Sequence, residues 1–326
     1  MIISKTPYRI SFFGGGTDYP EWYQNNKSTI ISTTINHYSY ITIKDLPQIF
    51  KYKFRIRYYY REEAKNIKLI KHPVIRTVLK YLKISSGLDI VHHGDLPARS
   101  GIGSSSSFSV GILNALNNYK NKKISKKELA KKSLFLEHKL LKESVGSQDQ
   151  IAVTYGGFNK IEFYKNKFNC KKISITASKK NILENHIQLF FINQRNSEDI
   201  EKNKIINLDK HKDYYKKINK LAIKAYNLLV SNKKNFIQDF GKLLNEQWDL
   251  KKKLSKKVSN KNIDNLYKKA IKNGAIGGKI LGAGGGGFLM MIVPPSKQKN
   301  ISKLLKLSEV KLKFENLGST IIYKDN

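Results

Sequence analysis

Glycines and serines are concentrated in one short stretch of this sequence, Asp95–Ser109 (DLPARSGIGSSSSFS). A glycine-rich turn that leads into a helix presents backbone N–H donors and a favourable helix dipole to phosphate oxygens. The four consecutive serines add hydroxyl groups that can contact phosphate oxygens or a bound Mg²⁺ ion. The stretch lacks the lysine of the GxxxxGK[ST] nucleotide loop, and Ser106 stands where a dinucleotide fingerprint needs its third glycine. It therefore predicts a phosphate loop of another type, with a flexible Gly/Ser turn as the alternative.

A second glycine cluster follows the first predicted strand, in Pro7–Asp18 (PYRISFFGGGTD). Its three consecutive glycines allow a ligand to approach the backbone closely. Asp18 could accept hydrogen bonds from sugar hydroxyls, and Arg9 could face the negative charge that develops during phosphate transfer. The alternative is a glycine turn in which Asp18 caps a helix.

Two carboxylates, Glu137 and Asp149, lie twelve residues apart, and Gly146 between them marks the predicted end of a helix. Phosphoryl transfer needs a carboxylate for Mg²⁺ and often a second one that orients or deprotonates the hydroxyl nucleophile. Beside a phosphate loop, the pair could perform these two tasks. The alternative is that both are ordinary acidic residues of the surface.

Eight glycines occupy the fourteen residues Gly274–Gly287 (GAIGGKILGAGGGG). Each glycine within regular structure costs up to about 1 kcal/mol, so this density favours close approach of the backbone to a ligand or to another strand. Lys279 in this segment could assist a phosphate, but a solvated lysine is the interpretation we favour from the sequence.

Strands and helices are predicted on either side of these segments and would position them. The alternating apolar pattern of Ile30–Ile43 and the shorter Leu88–Val91 predict strands, and the apolar Phe108–Leu116 predicts a buried helix after the Gly/Ser loop. A capping box at the start of Ser125–Ser144 predicts an amphipathic helix.

The second half of the chain again mixes helix and strand. Leu189–Ile192 and Phe288–Val293 predict buried strands, and residues 201–258 predict long helices with lysine-rich exposed faces. We divide the chain into two domains, residues 1–180 and 181–326, which should pack together because no low-complexity linker separates them. Both halves of the chain therefore mix helices with strands.

The formal net charge of +36 raises the question of nucleic-acid binding. Only seven of the 61 basic residues are arginine, the side chain favoured for bidentate contacts to bases and phosphates. A lysine-rich solvated surface is therefore the interpretation we favour, with attraction of anionic ligands as a further role. A basic nucleic-acid-binding protein is the alternative from a different class, and its binding would fall steeply with added salt.

The single cysteine, Cys170, cannot form an internal disulfide and has no neighbouring histidine or aspartate that would activate it as a nucleophile. No apolar run approaches the ~20 residues of a membrane span, and the first residues lack the pattern of a secretion signal. We therefore expect a cytoplasmic protein that has no membrane partner.

In their order and spacing, these segments resemble the GHMP kinases, the superfamily of galactokinase, homoserine kinase, mevalonate kinase and phosphomevalonate kinase. Pro7–Asp18 is similar to the first family motif, Pro97–Ser107 to the second and Gly277–Gly287 to the third. The resemblance implies an ATP-dependent phosphotransferase with a mixed α/β N-terminal domain, like domain 2 of ribosomal protein S5, and a ferredoxin-like C-terminal domain. The active site would lie between the two domains.

The resemblance also implies a role for individual residues. Asp149 matches the acidic residue proposed as the catalytic base, and Arg9 occupies the position of the basic residue opposite it. Glu137 matches the acidic Mg²⁺ ligand, and Ser105 is our choice for a second contact to the metal. The residues that match the loop around the ATP phosphates are Pro97, Gly101, Gly103, Ser104, Ser105, Ser106 and Ser107, and those assigned to the substrate are Gly15, Gly16, Thr17, Asp18, Gly284, Gly285 and Gly286.

Within the superfamily, several short sequences look most like the kinases of D-glycero-D-manno-heptose 7-phosphate. They are Gly14–Asp18 (GGGTD), the four-serine loop, Gly146–Gln150 (GSQDQ), Trp248–Lys251 (WDLK) and Gly278–Phe288. Galactokinases carry GEHTD where this chain has GGGTD. The likeness implies phosphorylation of the anomeric hydroxyl to a 1,7-bisphosphate, for nucleotide-activated heptose and surface polysaccharide synthesis. A fucokinase- or galactokinase-like sugar 1-kinase is the alternative, and a catalytically silent sugar-sensing relative is a third interpretation.

A substrate that already carries a phosphate needs a second anion site, for which Arg99 and Arg195 are the candidates. The expected ligands are thus a sugar phosphate, ATP and Mg²⁺, with no nucleic acid and no membrane. The sequence leaves open whether the enzyme is a monomer or a homodimer.

Overall fold

Two β-sheets organise the chain in the computed structural model, which describes residues 1–194, 208 and 210–325. The strands of the first half are β1 (Ile2–Phe13), β2 (Ser28–Asp45), β3 (Phe54–Arg57), β4 (Arg61–Ala64), β5 (Leu88–Gly94), β6 (Phe158–Tyr164) and β7 (Lys167–Lys172). The helices of this half are α1 (Pro20–Tyr23), α2 (Pro73–Tyr81), α3 (Ser104–Tyr119), α4 (Lys126–Phe135), α5 (Gln148–Tyr155) and α6 (Ala177–His186), with a 3₁₀ turn at Ile67–Leu69 and a π-helical turn at Leu136–Leu140.

The second half contributes both helices and strands. The helices are α7 (Lys212–Val230), α8 (Phe236–Leu254), α9 (Lys261–Lys272) and α10 (Pro295–Leu305), with a 3₁₀ turn at Lys256–Val258. The strands are β8 (Ile187–Asn193), β9 (Gly277–Ile280), β10 (Gly287–Ile292), β11 (Ser308–Val310), β12 (Phe314–Glu315) and β13 (Thr320–Lys324).

The larger sheet has nine strands within the described residues, and its main path runs β13-β1-β2-β5-β3-β4. The long strand β2 also pairs with β12 and β6, and β6 pairs with β7. β3 and β5 run parallel, whereas the other pairs are antiparallel. β1 and β2 carry the isoleucine, threonine and tyrosine residues that favour a pleated, half-buried surface. The first glycine cluster follows directly where β1 ends.

The smaller sheet is four-stranded within the described residues, antiparallel, and ordered β11-β8-β10-β9. The six residues of β10 are all buried, as expected for a strand covered on both faces. Helix α8 packs against β9, and it carries Trp248 and Lys251 on its buried side. The glycine-rich segment connects β9 to β10 and thus lies at one end of this sheet.

One hydrophobic core joins the two halves of the chain. It includes Phe12 from β1, Phe240 from α8 and Phe288 from β10. The Phe12 and Phe240 ring centroids lie 5.4 Å apart in an edge-to-face arrangement, which aromatic pairs favour. The α+β architecture that the resemblance implies is confirmed, and shared packing holds the two halves together.

The end of the chain returns to the larger sheet. β12 pairs with β2, and β13 pairs with β1 over Ile2–Lys5. These two strands lie within the range 181–326 that we assigned to the second domain, although their hydrogen bonds are to the first. The division at residue 180 stays a prediction.

Most predicted elements are found, but the helix predicted over Ser125–Ser144 is shorter than expected. Ser125 caps it as predicted, since its Oγ accepts a hydrogen bond from Glu128 N at 3.2 Å. The regular helix ends at Phe135, and the π-helical turn that follows ends before Lys142, whose φ of 55° is left-handed. The predicted end at Ser144 is therefore wrong, because a residue in this conformation cannot continue a right-handed helix. Among the described residues, none of the helices is both long and apolar enough to cross a membrane.

Candidate active site

A cavity of about 480 Å³ lies where the glycine clusters meet the phosphate loop. Its lining comes from the end of β1, the start of α3, the turn before α5 and the segment between β9 and β10. Of the residues that we predicted from sequence, those lining the cavity are Arg9, Gly15, Gly16, Asp18, Arg99, Gly101, Gly103, Ser104, Ser105, Ser106, Glu137 and Asp149. Segments more than 100 residues apart in sequence are thus brought together.

The Gly/Ser stretch forms a loop that ends at the N-terminus of α3. Gly101 and Gly103 have φ angles of 88° and 74°, a left-handed conformation that favours glycine. Gly103 is the N-cap residue, and no side chain caps the first turn of α3. Among the described residues, no N-cap side chain accepts from the first backbone N–H groups of this sixteen-residue helix, which can therefore bind an anion.

The four serines of this loop point in different directions. Ser104, Ser105 and Ser106 line the cavity. Ser107 is fully buried, and its Oγ donates a hydrogen bond to the Pro7 carbonyl oxygen at 2.9 Å. Its hydroxyl therefore stabilises the packing of α3 on β1. Pro97 lies before the loop, where its carbonyl oxygen accepts a hydrogen bond from Ser100 Oγ at 2.6 Å.

Glu137 is buried beside the serines, on the π-helical turn. Its Oε2 accepts hydrogen bonds from Ser106 Oγ at 3.3 Å and from Gln150 Nε2. Its Oε1 is buried and has no hydrogen-bond partner among the described residues. Burial, with a smaller effect of the nearby Glu143 carboxylate, raises the pKa of Glu137 to about 8.

The surroundings of Glu137 suit a magnesium ion that is bound together with phosphates. An unpartnered buried carboxylate oxygen costs free energy, which a bound cation would offset. The described residues contain no cluster of three or more His, Cys, Asp or Glu side chains that could hold a metal by itself. Magnesium is commonly held by one or two carboxylates together with substrate phosphates and water, which one carboxylate beside a phosphate loop satisfies.

Arg9 and Asp149 form a partly buried ion pair in the lining of the cavity. Arg9 Nε donates to Asp149 Oδ1 at 2.6 Å, and Nη2 donates to Oδ2. Arg9 is itself fixed to the phosphate loop, because its Nη1 donates to the Gly101 carbonyl oxygen at 2.6 Å and its backbone N–H to the Ile102 carbonyl oxygen at 3.0 Å. Two parallel hydrogen bonds from a guanidinium hold a carboxylate in one orientation.

Asp18 lies next to Asp149 and is almost fully buried. Its Oδ1 accepts from the backbone N–H of Gly16 at 2.9 Å, and its Oδ2 accepts from that of Gln148 at 3.3 Å. Burial and the charge of Asp149 raise the pKa of Asp18 above its usual range. A Cβ at Gly146 would lie 2.0 Å from Asp18 Oδ2, so a larger residue there would displace the Asp18 carboxylate.

Some residues that we assigned to the substrate lie against protein instead. Thr17 Oγ1 donates to the Gly14 carbonyl oxygen at 2.9 Å and lies 2.7 Å from Ser28 Oγ, which stabilises the glycine turn. In the third glycine segment, Gly282 and Ala283 line the cavity, whereas Gly284, Gly285 and Gly286 do not. Gly285 N donates to the Val258 carbonyl oxygen at 2.8 Å, and a Cβ at Gly284 would lie 2.6 Å from that oxygen.

Two buried lysines also line the cavity. Lys279 is 2% exposed, and its Nζ donates to the backbone oxygens of Ser11 at 2.8 Å and Phe12 at 3.1 Å. Its interpretation as a solvated lysine is therefore wrong. Lys251 is 4% exposed, and its Nζ donates to the Gly282 carbonyl oxygen. We did not assign Lys251 a site role, although it belongs to the quoted WDLK stretch.

Of the two arginines considered for a second anion site, Arg99 lines the cavity with an exposed side chain. Arg195 lies outside the described residues. Lys142, from the turn after the π-helical segment, is a further exposed cation of the lining. Gln148 is a further polar residue of the lining that sequence reasoning missed.

Comparison with known proteins identifies the same two halves. The model of the GHMP kinases N terminal domain matches residues 68–157, and that of the GHMP kinases C terminal matches residues 228–306. The chain is 33% identical to D-glycero-alpha-D-manno-heptose 7-phosphate kinase of Campylobacter jejuni, over 94% of this chain and 93% of that protein.

Two solved structures superpose over nearly the whole chain. One is a D-glycero-D-manno-heptose 1-phosphate kinase from Bacteroides thetaiotaomicron, with a TM-score of 0.82, 23% identity and 100% of both chains covered. The other is a putative sugar kinase from Campylobacter jejuni, with a TM-score of 0.74, 28% identity and 98% of both chains covered. The two matched domains and the 33% identity over 94% of the chain show that the chain belongs to the GHMP kinase family and is an ATP-dependent sugar kinase.

Proposed function

We propose that this enzyme transfers the γ-phosphate of ATP to the anomeric hydroxyl of D-glycero-D-manno-heptose 7-phosphate and forms the 1,7-bisphosphate. The identity of 33% over 94% of the chain with a heptose 7-phosphate kinase carries the choice of substrate. The GSQDQ and GGGTD sequences contact each other, because the backbone N–H of Gln148 donates to Asp18 Oδ2. They support a sugar site that lacks the glutamate of the galactokinase motif GEHTD.

The acceptor hydroxyl lies beside Asp149 in this proposal. Asp149 orients the hydroxyl or accepts its proton, the hydroxyl oxygen bonds to the γ-phosphorus, and the bond from that phosphorus to the bridging oxygen of ADP breaks. Arg9 keeps the Asp149 carboxylate in place through two hydrogen bonds and adds a positive charge next to the developing negative charge. Asp18 accepts hydrogen bonds from further sugar hydroxyls.

The phosphates of ATP lie over the N-terminus of α3 in this proposal. Backbone N–H groups after Gly103 and the hydroxyls of Ser104 and Ser105 supply the donors. Glu137 and a serine hydroxyl would hold Mg²⁺, which would supply positive charge to neutralise the phosphates. We predicted Ser105 for this contact, and the hydrogen bond between Ser106 and Glu137 makes Ser106 a second candidate.

The phosphate of the sugar needs cations in addition to the groups that bind the phosphates of ATP. Arg99 and Lys142 are exposed at the cavity and can reach a ligand, which supports an anion site at its rim. We place the reaction in the cytoplasm, where ATP is available. One chain supplies all the residues that this proposal uses, so the proposal does not depend on a homodimer. The homodimer stays a prediction.

The experiment is a comparison of kcat/KM with Mg²⁺ and ATP for heptose 7-phosphate, heptose, fucose, galactose, mannose and mevalonate. We expect heptose 7-phosphate to have the highest kcat/KM by at least about tenfold, because only it can use a second anion site. A higher kcat/KM for a sugar without phosphate would contradict the substrate and leave the kinase chemistry in place. Arg99→Ala should raise the KM of heptose 7-phosphate and leave that of unphosphorylated heptose unchanged.

A further inference from the structure

Gln148 is a buried polar residue of the active-site cavity that the mechanism does not use. Its side chain is more than nine-tenths buried, and it begins helix α5 directly before Asp149. Its backbone N–H donates to Asp18 Oδ2 at 3.3 Å, which fixes the main chain at this point. The side chain then extends back to β1, on the side of the cavity where Gly15 lies.

The amide of Gln148 is held at its oxygen. Ser11 Oγ donates to Gln148 Oε1 at 2.6 Å, and the Ser11 backbone oxygen is in turn bonded to Lys279 Nζ at 2.8 Å. Nε2 has no acceptor among the described residues, and it is not enclosed by protein, since Gln148 lines the cavity. The two N–H donors of this amide are therefore available to a ligand or to water in the cavity.

Gly15 keeps the space in front of this amide open. Its neighbours Gly14 and Gly16 have φ angles of 88° and 104°, so the backbone requires glycine at both positions. The φ angle of Gly15 does not lie in this left-handed region. A Cβ there would meet Gln148 Nε2 at 3.5 Å and Ser11 Oγ at 3.8 Å, which are ordinary van der Waals contacts. The fold would therefore accept alanine at Gly15, but the methyl group would take up cavity space 3.5 Å from the amide nitrogen.

The geometry points to Gln148 as a specificity-determining residue: its Nε2, reached over Gly15, donates a hydrogen bond to a hydroxyl of the sugar. Two carboxylates, Asp18 and Asp149, line the same part of the cavity. They disfavour an anionic group at this position, whereas a neutral hydroxyl can accept from Nε2 and donate to a carboxylate. The subsite thus recognises a polyol hydroxyl and not the phosphate of the substrate. This inference deepens the proposed function and rests on its sugar site.

The test combines Gln148→Met with monodeoxy analogues of the sugar. It uses whichever sugar gives the highest kcat/KM, so its outcome does not depend on heptose 7-phosphate being the substrate. One of the analogues lacks the hydroxyl that accepts from Gln148. Its kcat/KM should be about tenfold lower than that of the parent sugar in the wild type, but less than about twofold lower in Gln148→Met. The KM of ATP should be the same in both proteins. If every analogue loses the same factor in both proteins, Gln148 donates to no sugar hydroxyl and the inference is overturned.

Gly15→Ala provides a second test that keeps the Gln148 side chain. We expect the KM of the sugar to rise about tenfold, the KM of ATP to stay unchanged, and calorimetric binding of the sugar to weaken by the same factor as its KM rises. Unchanged sugar binding in a folded Gly15→Ala protein would show that the ligand does not approach the amide over Gly15, and would overturn the subsite. A substrate panel that favours a different sugar would contradict the proposed function alone.

Discussion

Arg9 and Asp149 are 140 residues apart in the sequence and form a bidentate pair in the cavity. Because Arg9 is also bonded to Gly101 and Ile102, it links the carboxylate to the phosphate loop. The position of Asp149 relative to the loop before α3 is therefore fixed before a substrate binds. Such preorganisation is the main contribution that a protein makes to phosphoryl transfer.

The change Asp149→Asn tests this role, since asparagine has nearly the same shape but carries no charge. We expect kcat to fall by a factor of about 10²–10⁴, while the affinity for ATP changes little. Turnover is measured by ADP release and nucleotide affinity by calorimetry. Asp213→Asn, at an exposed position of α7, is the matched control and should keep the wild-type rate. A wild-type rate in Asp149→Asn would contradict the assignment.

The pKa of Glu137 predicts how stability depends on pH in protein kept free of divalent cations. The folded-state pKa is about 8, above the usual value of 4.5, so the folded state holds a proton that the unfolded state releases between these values. The free energy of unfolding should therefore fall as the pH rises from about 4.5 to 8.

Glu137→Gln removes this titration. The variant should lose less stability than the wild type between pH 5 and 8, by an amount of the order of a few kcal/mol. Urea denaturation with EDTA present measures the difference, and Glu128→Gln, at an exposed position, is the control. Parallel pH profiles for Glu137→Gln and the wild type would show that Glu137 is ionised throughout.

At the scale of elements, the loop before α3 is held in place by the glycine segment of the other half. A Cβ at Gly101 would lie 2.6 Å from the Leu281 carbonyl oxygen, and one at Gly287 would lie 2.3 Å from that of Ser100. The two backbones therefore approach each other as closely as glycine allows. This contact explains why the sequence concentrates glycine in two distant segments.

Gly101→Ala should destabilise the protein, because alanine is strained at a φ of 88° and its methyl group would collide with backbone. We expect a loss of about 2 kcal/mol or more in the free energy of unfolding. Gly15→Ala is the matched control, since its Cβ makes only ordinary contacts, and it should change stability by less than about 0.5 kcal/mol. Equal stability of the two variants would show that the backbone at this contact can shift to make room for a methyl group.

The elements were largely predictable from the sequence, and the directions of individual side chains were not. The glycine clusters and the apolar strands follow from local patterns, so β2, β5, α3 and β10 lie where we expected them. Which serine faces Glu137 depends on how α3 begins, since successive helical residues turn by about 100°. The contacts of Lys279 and Gln148 depend on β1, far away in sequence, and therefore left no local signal.

At the scale of the whole molecule, the two halves share one core and should unfold together. The two tryptophans of the sequence are both buried and report on different places, because Trp22 of the first half packs against Tyr215 of the second, whereas Trp248 lies within the second half. In Trp22→Phe and in Trp248→Phe, we expect the fluorescence midpoint in urea to coincide with the midpoint from far-ultraviolet circular dichroism. Separate midpoints in either protein would show that the halves unfold independently.

The position of the new phosphate tests the central claim most directly. Heptose 7-phosphate is converted with Mg²⁺ and ATP, and the purified product is examined by phosphorus NMR. We predict two phosphate resonances, the original one and a new one that is coupled to the proton on the anomeric carbon. A new phosphate on any other carbon, or no turnover of heptose 7-phosphate by a protein that phosphorylates another sugar, would contradict the account.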